Sequence, residues 1–493
     1  MHTFMKFMVA MIIAAAYTSA QAASTQSDFD AYRQQQQQDA QKIKTEFRAY
    51  KDKQDAEFAD FLKGRWREFE TLHGKALIKE PLPKQLPVYK PAVPVQPSLL
   101  PVVKVPAPPV SPPPVLPPSS QVPLAADVLE IMFYGNAVRI PFDPQWKEYR
   151  LSPGNKPDEM SAFWSMMSSS KYEPAFQAAG EAKRELQLDD WGYVTLWRSV
   201  AQALQPERKA EQNLLLWFFL VKSGYDVRLG YAREDVHLFI AVRQQVYATK
   251  FVKVGEQSYY AVLAADQGAS IRSFFTYDAS YPVQLKPLDI RSAAIGFPKP
   301  LSAQRPLSFD YKGNLVRVNA PYDRRLVEYL DTYPQSDFEL YFNTGASALF
   351  RQGLLPELRQ YTAAMSEEEA VDFLLAFVQK SFAYKTDEEQ FGHEKSFFVE
   401  ESMYFPYNDC KEHSAVFSWL VRELLGIKVI GLLYPGHLTT AVKLKHVKPE
   451  FATVEHEGDR YVIADPTYIG ASVGMAMPSY AKLKPSRVVD IQD

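Results

Sequence analysis

Tyr407-Asn408-Asp409-Cys410-Lys411-Glu412-His413-Ser414-Ala415-Val416-Phe417-Ser418-Trp419-Leu420-Val421 is the stretch that decides how this chain is built. Polar residues lead to Cys410, the only cysteine of 493 residues, and an apolar helical pattern starts directly behind it. Gly436-His437 follows 27 positions after Cys410, and Asp465-Pro466-Thr467 closes a strand-like run 28 positions beyond His437. A thiol becomes a nucleophile as its thiolate, and a helix N-terminus beside an imidazolium lowers its pKa. In that arrangement Cys410 is the candidate nucleophile, His437 its base and Asp465 the group that fixes the imidazole tautomer.

The neighbours of Cys410 carry secondary expectations. Asp409 and Glu412 favour the helix dipole but would raise a nearby thiol's pKa, with Lys411 offsetting them. His413, one turn on, is expected at the surface or in support of the site rather than as a second base. An oxyanion hole needs donors aimed at developing charge. The Cys410 backbone N–H is one, and Tyr404, Tyr407 and Asn408 are candidates for the other, with Gln390 farther back. His446 and His456 read as exposed. His393 has no second ligand at a usable spacing, so no metal site is expected. Without a phosphate loop or a dinucleotide fingerprint, no cofactor is expected either.

Together with Phe377-Val378-Gln379, Phe382-Ala383-Tyr384, Gly426-Ile427-Lys428-Val429, Tyr434-Pro435-Gly436-His437 and Tyr461-Val462-Ile463-Ala464-Asp465-Pro466-Thr467-Tyr468, these residues resemble the transglutaminase-like superfamily of papain-like thiol enzymes. The resemblance covers about 366–489. It implies an α+β core in which the cysteine caps a helix packed on an antiparallel sheet, with histidine and aspartate on adjacent strands. It implies the same three roles for Cys410, His437 and Asp465. Members of the superfamily include cross-linking acyl transferases, thiol proteases and amidases, and copies without catalysis. Hydrolysis of an amide in a protein or a cell-wall peptide is the expected reaction here, by analogy with exported bacterial members. Two alternatives stay open: a non-catalytic periplasmic peptide-binding or scaffold protein, and a cross-linking acyl transferase.

Outward from this domain, 346–493, the chain is organised in blocks. Ser366-Glu367-Glu368-Glu369 opens a helix with a capping box. The stretch 271–345 alternates apolar residues with Pro and Tyr and is expected to be a β-containing connector, with strands near Leu315–Val318 and Phe338–Phe342. In 124–270, Gly135-Asn136 marks a hairpin turn. There Gly224-Tyr225-Asp226-Val227 followed by His237-Leu238-Phe239-Ile240-Ala241-Val242 echoes the segments beginning at Gly426 and His437. The echo suggests a degenerate, thiol-less copy of the domain, in which His237 is a relic or a binding residue.

The first part of the chain reads differently. Residues 1–22 carry Lys6, an apolar run from Phe7 to Ala16 and Ala20-Gln21-Ala22, the pattern of a secretory signal peptide. A periplasmic or secreted protein is therefore expected, with a lone thiol that has no partner cysteine in its own chain. In 23–80, Ile43, Phe47, Tyr50, Phe58, Phe61, Leu62, Trp66, Phe69 and Leu72 recur at three- and four-residue steps, as on one long amphipathic helix seeking a partner or a coiled coil. From 81 to 123 the chain holds sixteen of its 36 prolines and no glycine, a polyproline II spacer. A net charge of -3 gives no electrostatic case for nucleic acid. No segment has the ~18 apolar residues of a membrane span. The partner that the resemblance implies for the site is a protein or peptide substrate.

Overall fold

The computed structural model describes residues 33–64, 66–75, 86–89, 127–152, 156–232, 235–263, 273–278, 281–291 and 296–492. The stretch expected to be a signal peptide, 1–22, and most of the expected Pro-rich spacer, 81–123, lie outside these residues. Along the chain, helix α1 (33–62) is followed by strands β1 (Trp66–Glu70) and β2 (Leu72–His73), then the hairpin β3 (Asp127–Phe133) and β4 (Asn136–Phe142). Next come helices α2 (Pro144–Glu148), α3 (Lys156–Ser169), α4 (Glu173–Glu185), α5 (Asp190–Leu204) and α6 (Lys209–Lys222). Strands β5 (Val227–Ala232), β6 (Asp235–Ala241), β7 (Lys250–Val254), β8 (Gln257–Tyr260) and β9 (Ser273–Tyr277) complete a first half. A second half starts with the hairpin β10 (Ser302–Tyr311) and β11 (Asn314–Asp323), then α7 (Arg324–Leu330), α8 (Phe338–Asn343), α9 (Ala348–Thr362) and α10 (Glu367–Ser381). It continues through β12 (Ala383–Tyr384), α11 (Asp387–Phe391), β13 (Tyr407–Asn408) and α12 (Cys410–Leu425) to β14 (Val429–Tyr434), β15 (His437–Val442), β16 (Thr453–His456), β17 (Asp459–Ala464) and β18 (Arg487–Asp490). The class is α+β.

By contacts the chain forms two compact units, of which the smaller holds residues up to 65 with 157–169. In it Phe58 meets the Trp164 ring edge-on at 4.7 Å, and the Ser161 hydroxyl donates to the Ala59 carbonyl. Of the expected stripe, Phe58 and Leu62 are buried while Ile43, Phe47 and Tyr50 are exposed. The helix also stops earlier than its periodicity suggests. Gly64 sits in the turn that ends it, and Trp66, Phe69 and Leu72 belong to β1 and β2 of the larger unit.

Within that larger unit both halves follow one plan. The first sheet runs β1-β9-β5-β6-β8-β7-β2 and the second runs β16-β17-β15-β14-β18, so that β9-β5-β6-β8-β7 reappears as β18-β14-β15-β17-β16. Register agrees as well. Val227 pairs with Ile240, Ile240 with Tyr260, and Tyr260 with Phe251; Val429 pairs with Val442, Val442 with Val462, and Val462 with Thr453. Each residue of the second set lies 202 positions after its counterpart, as Gly426 does after Gly224, the two positive-φ residues that end α12 and α6. The hairpins match too. Tyr134-Gly135 and Lys312-Gly313 both take positive φ at two successive residues, the type I′ geometry that suits strand twist. Behind each hairpin an aspartate, Asp143 or Asp323, caps the next helix.

This plan corrects the expected boundaries. The hairpin at 302–323 is not a connector: Leu307, Phe309, Val316 and Val318 lie in the same apolar core as Phe377, Val378, Val416 and Leu438. Phe338–Phe342 alternates like a strand but forms α8, buried on Phe338, Leu340, Tyr341 and Phe342. The two sheets differ at their edges. In the first half, β1 and β2 take opposite edges although only Thr71 separates them, so this one stretch closes the sheet into a barrel. In the second half, β16 and β18 are the edges, bridged by a His456–Asp490 hydrogen bond of 2.7 Å.

Candidate active site

Helix α12 is fixed at its start by a reciprocal pair of bonds. The Lys411 N–H donates to Asp409 at 2.8 Å, and the Asp409 N–H donates to Glu412 at 3.1 Å, a capping box that satisfies donors a helix start leaves open. Cys410 therefore occupies the first helical position, 3 % exposed. One turn on, the Ser414 hydroxyl donates to the Leu438 carbonyl at 3.1 Å, which seats this face of α12 against the start of β15. His437 is the first residue of β15. Pro435 and Gly436, the latter at φ +79, make the turn before it, and only a residue free of Cβ constraint suits that second turn position.

His437 Nε2 bonds Asp465 Oδ2 at 2.8 Å from the adjacent strand's end. The other Asp465 oxygen accepts from the Thr467 N–H at 2.9 Å and the Thr467 hydroxyl at 2.7 Å. Burial opposes charge on Asp465, yet His437 and the Thr467 donors hold its carboxyl below the ordinary carboxylate range. With Nε2–H given to Asp465, the nitrogen left to act as base is Nδ1. Two residues without a sequence-level signal for a role complete this shell. Gln379 donates to the carbonyls of Asp465 and Ala471 and accepts from the Gly470 N–H, so it clamps the loop that carries Asp465. The Tyr480 ring stacks on His437 at 4.8 Å.

The acidic neighbourhood is more neutral than its composition suggests. Lys411 Nζ lies 2.7 Å from Asp387, 2.6 Å from Asp409 and 3.4 Å from Glu394. Those three carboxylates cluster as metal ligands would, but the ammonium already stands among them. Burial, then the charge of Asp409, pushes the Glu412 carboxyl well above its ordinary value. Burial also opposes charge on Asp409, which Lys411 nevertheless holds ionised. The expected repulsion of a thiolate is thus reduced by the upward shift of Glu412 and by the ion pair at Lys411.

The oxyanion candidates separate clearly. Tyr404 is 48 % exposed with its ring toward Tyr322 and Phe405, and Tyr407 is half-buried under the Lys385 ammonium at 4.1 Å. Asn408 is 1 % exposed, two residues before Cys410, and neither atom of its amide has a hydrogen-bond partner among the described residues. The Gln390 amide on α11 is likewise shielded and without a partner there. His413 is fully buried rather than superficial. Its Nδ1–H donates to the Asp409 carbonyl at 2.7 Å, and burial keeps the ring neutral by lowering its pKa. His393 and His446 are exposed, while His456 is half-buried on Asp490.

In the first half, strand register sets Asp235 at the place of His437, and the same 202-residue offset matches Arg208, just before α6, with Cys410 and Leu263 with Asp465. His237 matches Thr439, not His437: the apparent pairing of the two histidines is two residues out of step with the hairpins that carry them. A pocket of about 40 Å³ remains at this position, lined by Arg198, Gln202, Lys209, Gln212, Asn213 and His237 among others. No family model, curated protein or solved structure matches the chain.

Proposed function

We propose that the second half is a thiol hydrolase of the transglutaminase-like kind, acting on an amide bond of a protein or peptide outside the cytoplasm, and that the first half is a copy without catalysis. The observation that carries this is the 2.8 Å His437–Asp465 bond on neighbouring strands, facing a helix whose first residue is the chain's only cysteine. In the reaction, His437 Nδ1 takes the Cys410 proton and the thiolate adds to the substrate carbonyl carbon. The oxyanion so formed accepts hydrogen bonds from the Cys410 N–H and the Asn408 amide. Collapse breaks the carbon–nitrogen bond, and the imidazolium gives its proton to the leaving amine. A thioester remains. Water then attacks it, with His437 again as base, and the acid leaves with regeneration of the thiol.

A second reading has one observation in its favour. Cys410, His437 and Asp465 are all at most 3 % exposed, which suits a binding protein with a sheltered thiol. Labelling of Cys410 with a thiol-directed acylating probe from about pH 5 to 9, a range that spans the ~8.5 of a free thiol, decides between the two. Labelling well below that value in the wild type, abolished in His437→Ala and Asp465→Ala, supports the hydrolase. Slow labelling, equal in all three, leaves the binding protein.

A further inference from the structure

Four residues of the Pro-rich stretch are placed in the second half, beside the triad. The Tyr89 N–H donates to the Ile469 carbonyl at 2.7 Å, and the Ile469 N–H donates to the Pro87 carbonyl at 3.0 Å, a parallel bridge centred on Val88. Ile469 lies four residues after Asp465, on the loop clamped by Gln379. The Tyr89 ring meets Tyr468 edge-on at 6.1 Å and packs in the apolar cluster that includes Met477 and Tyr480. Tyr480 is the residue stacked on His437.

We propose that the Tyr468–Ile469 ledge is the subsite through which an extended peptide substrate passes the triad, and that Leu86–Tyr89 occupies it as an internal competitor. This rests on the triad being a working one. Main-chain pairing at an edge supplies affinity without regard to sequence, while side-chain pockets supply preference. The chemistry of the occupant then defines the preference. Only the carbonyl of Pro87 is used, so a proline without N–H fits there; Val88 is 60 % exposed and unselective; Tyr89 brings an aromatic ring to Tyr468 and Tyr480. The substrate class is an extended segment with an aromatic residue at the third of these positions and no requirement for a donor at the first.

The arm is also held farther back. Gly74 N–H donates to the Thr249 carbonyl and Ala248 N–H to the Lys75 carbonyl, in the first half. Only ten residues, 76–85, separate this anchor from the ledge. Occupant and ledge belong to one chain, so their pairing is intramolecular, and even a weak segment then competes well with a peptide from solution.

The test uses the full chain with Cys410→Ser, which cannot turn over, and a fluorescent peptide of sequence Leu-Pro-Val-Tyr-Lys-Pro. Tyr89→Pro deletes both the ring and the N–H of the internal occupant. Binding of the peptide by anisotropy is expected to tighten about tenfold, the equivalent of losing one net hydrogen bond and its packing. Adding Tyr468→Ala to that chain should abolish the gain. In the chain with Cys410 intact, labelling by the same peptide carrying an acylating group should rise by a similar factor in Tyr89→Pro, and labelling by a small thiol reagent should rise less. Equal peptide binding with and without Tyr89→Pro overturns the proposal. Tighter binding without faster labelling supports the ledge and defeats the catalytic reading, so the two failures are distinguishable.

Discussion

Replacing Asp465 by asparagine tests the site through a single atom exchange. In the wild type one carboxylate oxygen takes two donors, the N–H and hydroxyl of Thr467, and the other faces His437 Nε2 at 2.8 Å. In Asp465→Asn the amide carbonyl must stay with the two Thr467 donors, because an NH2 there would meet donors on both sides. The NH2 then points at His437 and donates to Nε2. That moves the imidazole proton to Nδ1, the nitrogen that should receive the Cys410 proton, and it removes the charge that stabilises the imidazolium. A wrong tautomer of this kind lowers turnover by about 10⁴-fold, roughly 5.5 kcal/mol of transition-state stabilisation. The direct assay is thiolate ultraviolet absorbance against pH, with Cys410→Ala as blank. An ion-paired Cys410 should be mostly thiolate at pH 6, whereas a thiol of pKa ~8.5 is about 0.3 % ionised there. Asp465→Asn should shift the titration to that free-thiol curve, with an unchanged thermal midpoint as evidence of an intact fold. A titration identical in wild type and variant would refute the role assigned to Asp465.

Other expectations rest on the same contacts. Asn408→Ala should cut amide turnover by roughly 10²–10³-fold, as loss of an oxyanion donor does, while leaving the thiolate titration in place and the denaturation midpoint no lower. Lys411→Met should cost about 3–5 kcal/mol in urea unfolding at neutral pH, because the buried Asp409 carboxylate loses its counter-charge. Burial raises Glu401 to about 8, Glu400 to about 7 and Asp387 to about 7, in the last case with help from Asp409's charge. The folded chain therefore holds protons that the unfolded chain loses above the ordinary carboxylate range, so stability should fall as pH rises from about 5 to 8, and Glu401→Gln should flatten that slope. A urea midpoint that rises over this range would contradict it. Gly353→Ala would bring a Cβ to 2.1 Å from Pro321 Cγ, so α9 should be pushed from β11 at a cost of about 1–3 kcal/mol in the same assay.

What the sequence made legible was local. The residues before Cys410 announced a helix start, Gly436 a turn and Asp465 the end of a strand, because caps, turns and short periodic runs are written in neighbouring residues. Long-range pairing is not written that way. Trp66, Phe69 and Leu72 continue the spacing of a helix, yet they pair with strands some 200 residues on, where Trp66 meets Tyr277. Phe338, Leu340 and Phe342 alternate as a strand would, but the six residues that follow Asp337 are buried as a helix instead. Likeness of short motifs drew His237 toward His437, and only the hairpin register shows the two-residue offset. Of the candidate site, the residues Cys410, His437 and Asp465 could be singled out from type and order. The Gln379 clamp and the Tyr480 stack could not, since neither glutamine nor tyrosine signals a role until the loop it touches is known.

The strand stretch that closes the first sheet sets a timetable for the chain. Residues 66–73 are made early, but their pairing partners at 250–251 and 273–277 emerge from the ribosome about 200 residues later. Contacts of such sequence separation are slow to form and leave strand edges unpaired meanwhile. The leading strands therefore have no partner among the residues made directly after them, and the first half completes only when synthesis has passed Tyr277. Until Tyr277 has been made, strands 66–73 wait with their edges open, so this sheet is a late product of synthesis although its closing stretch is an early one.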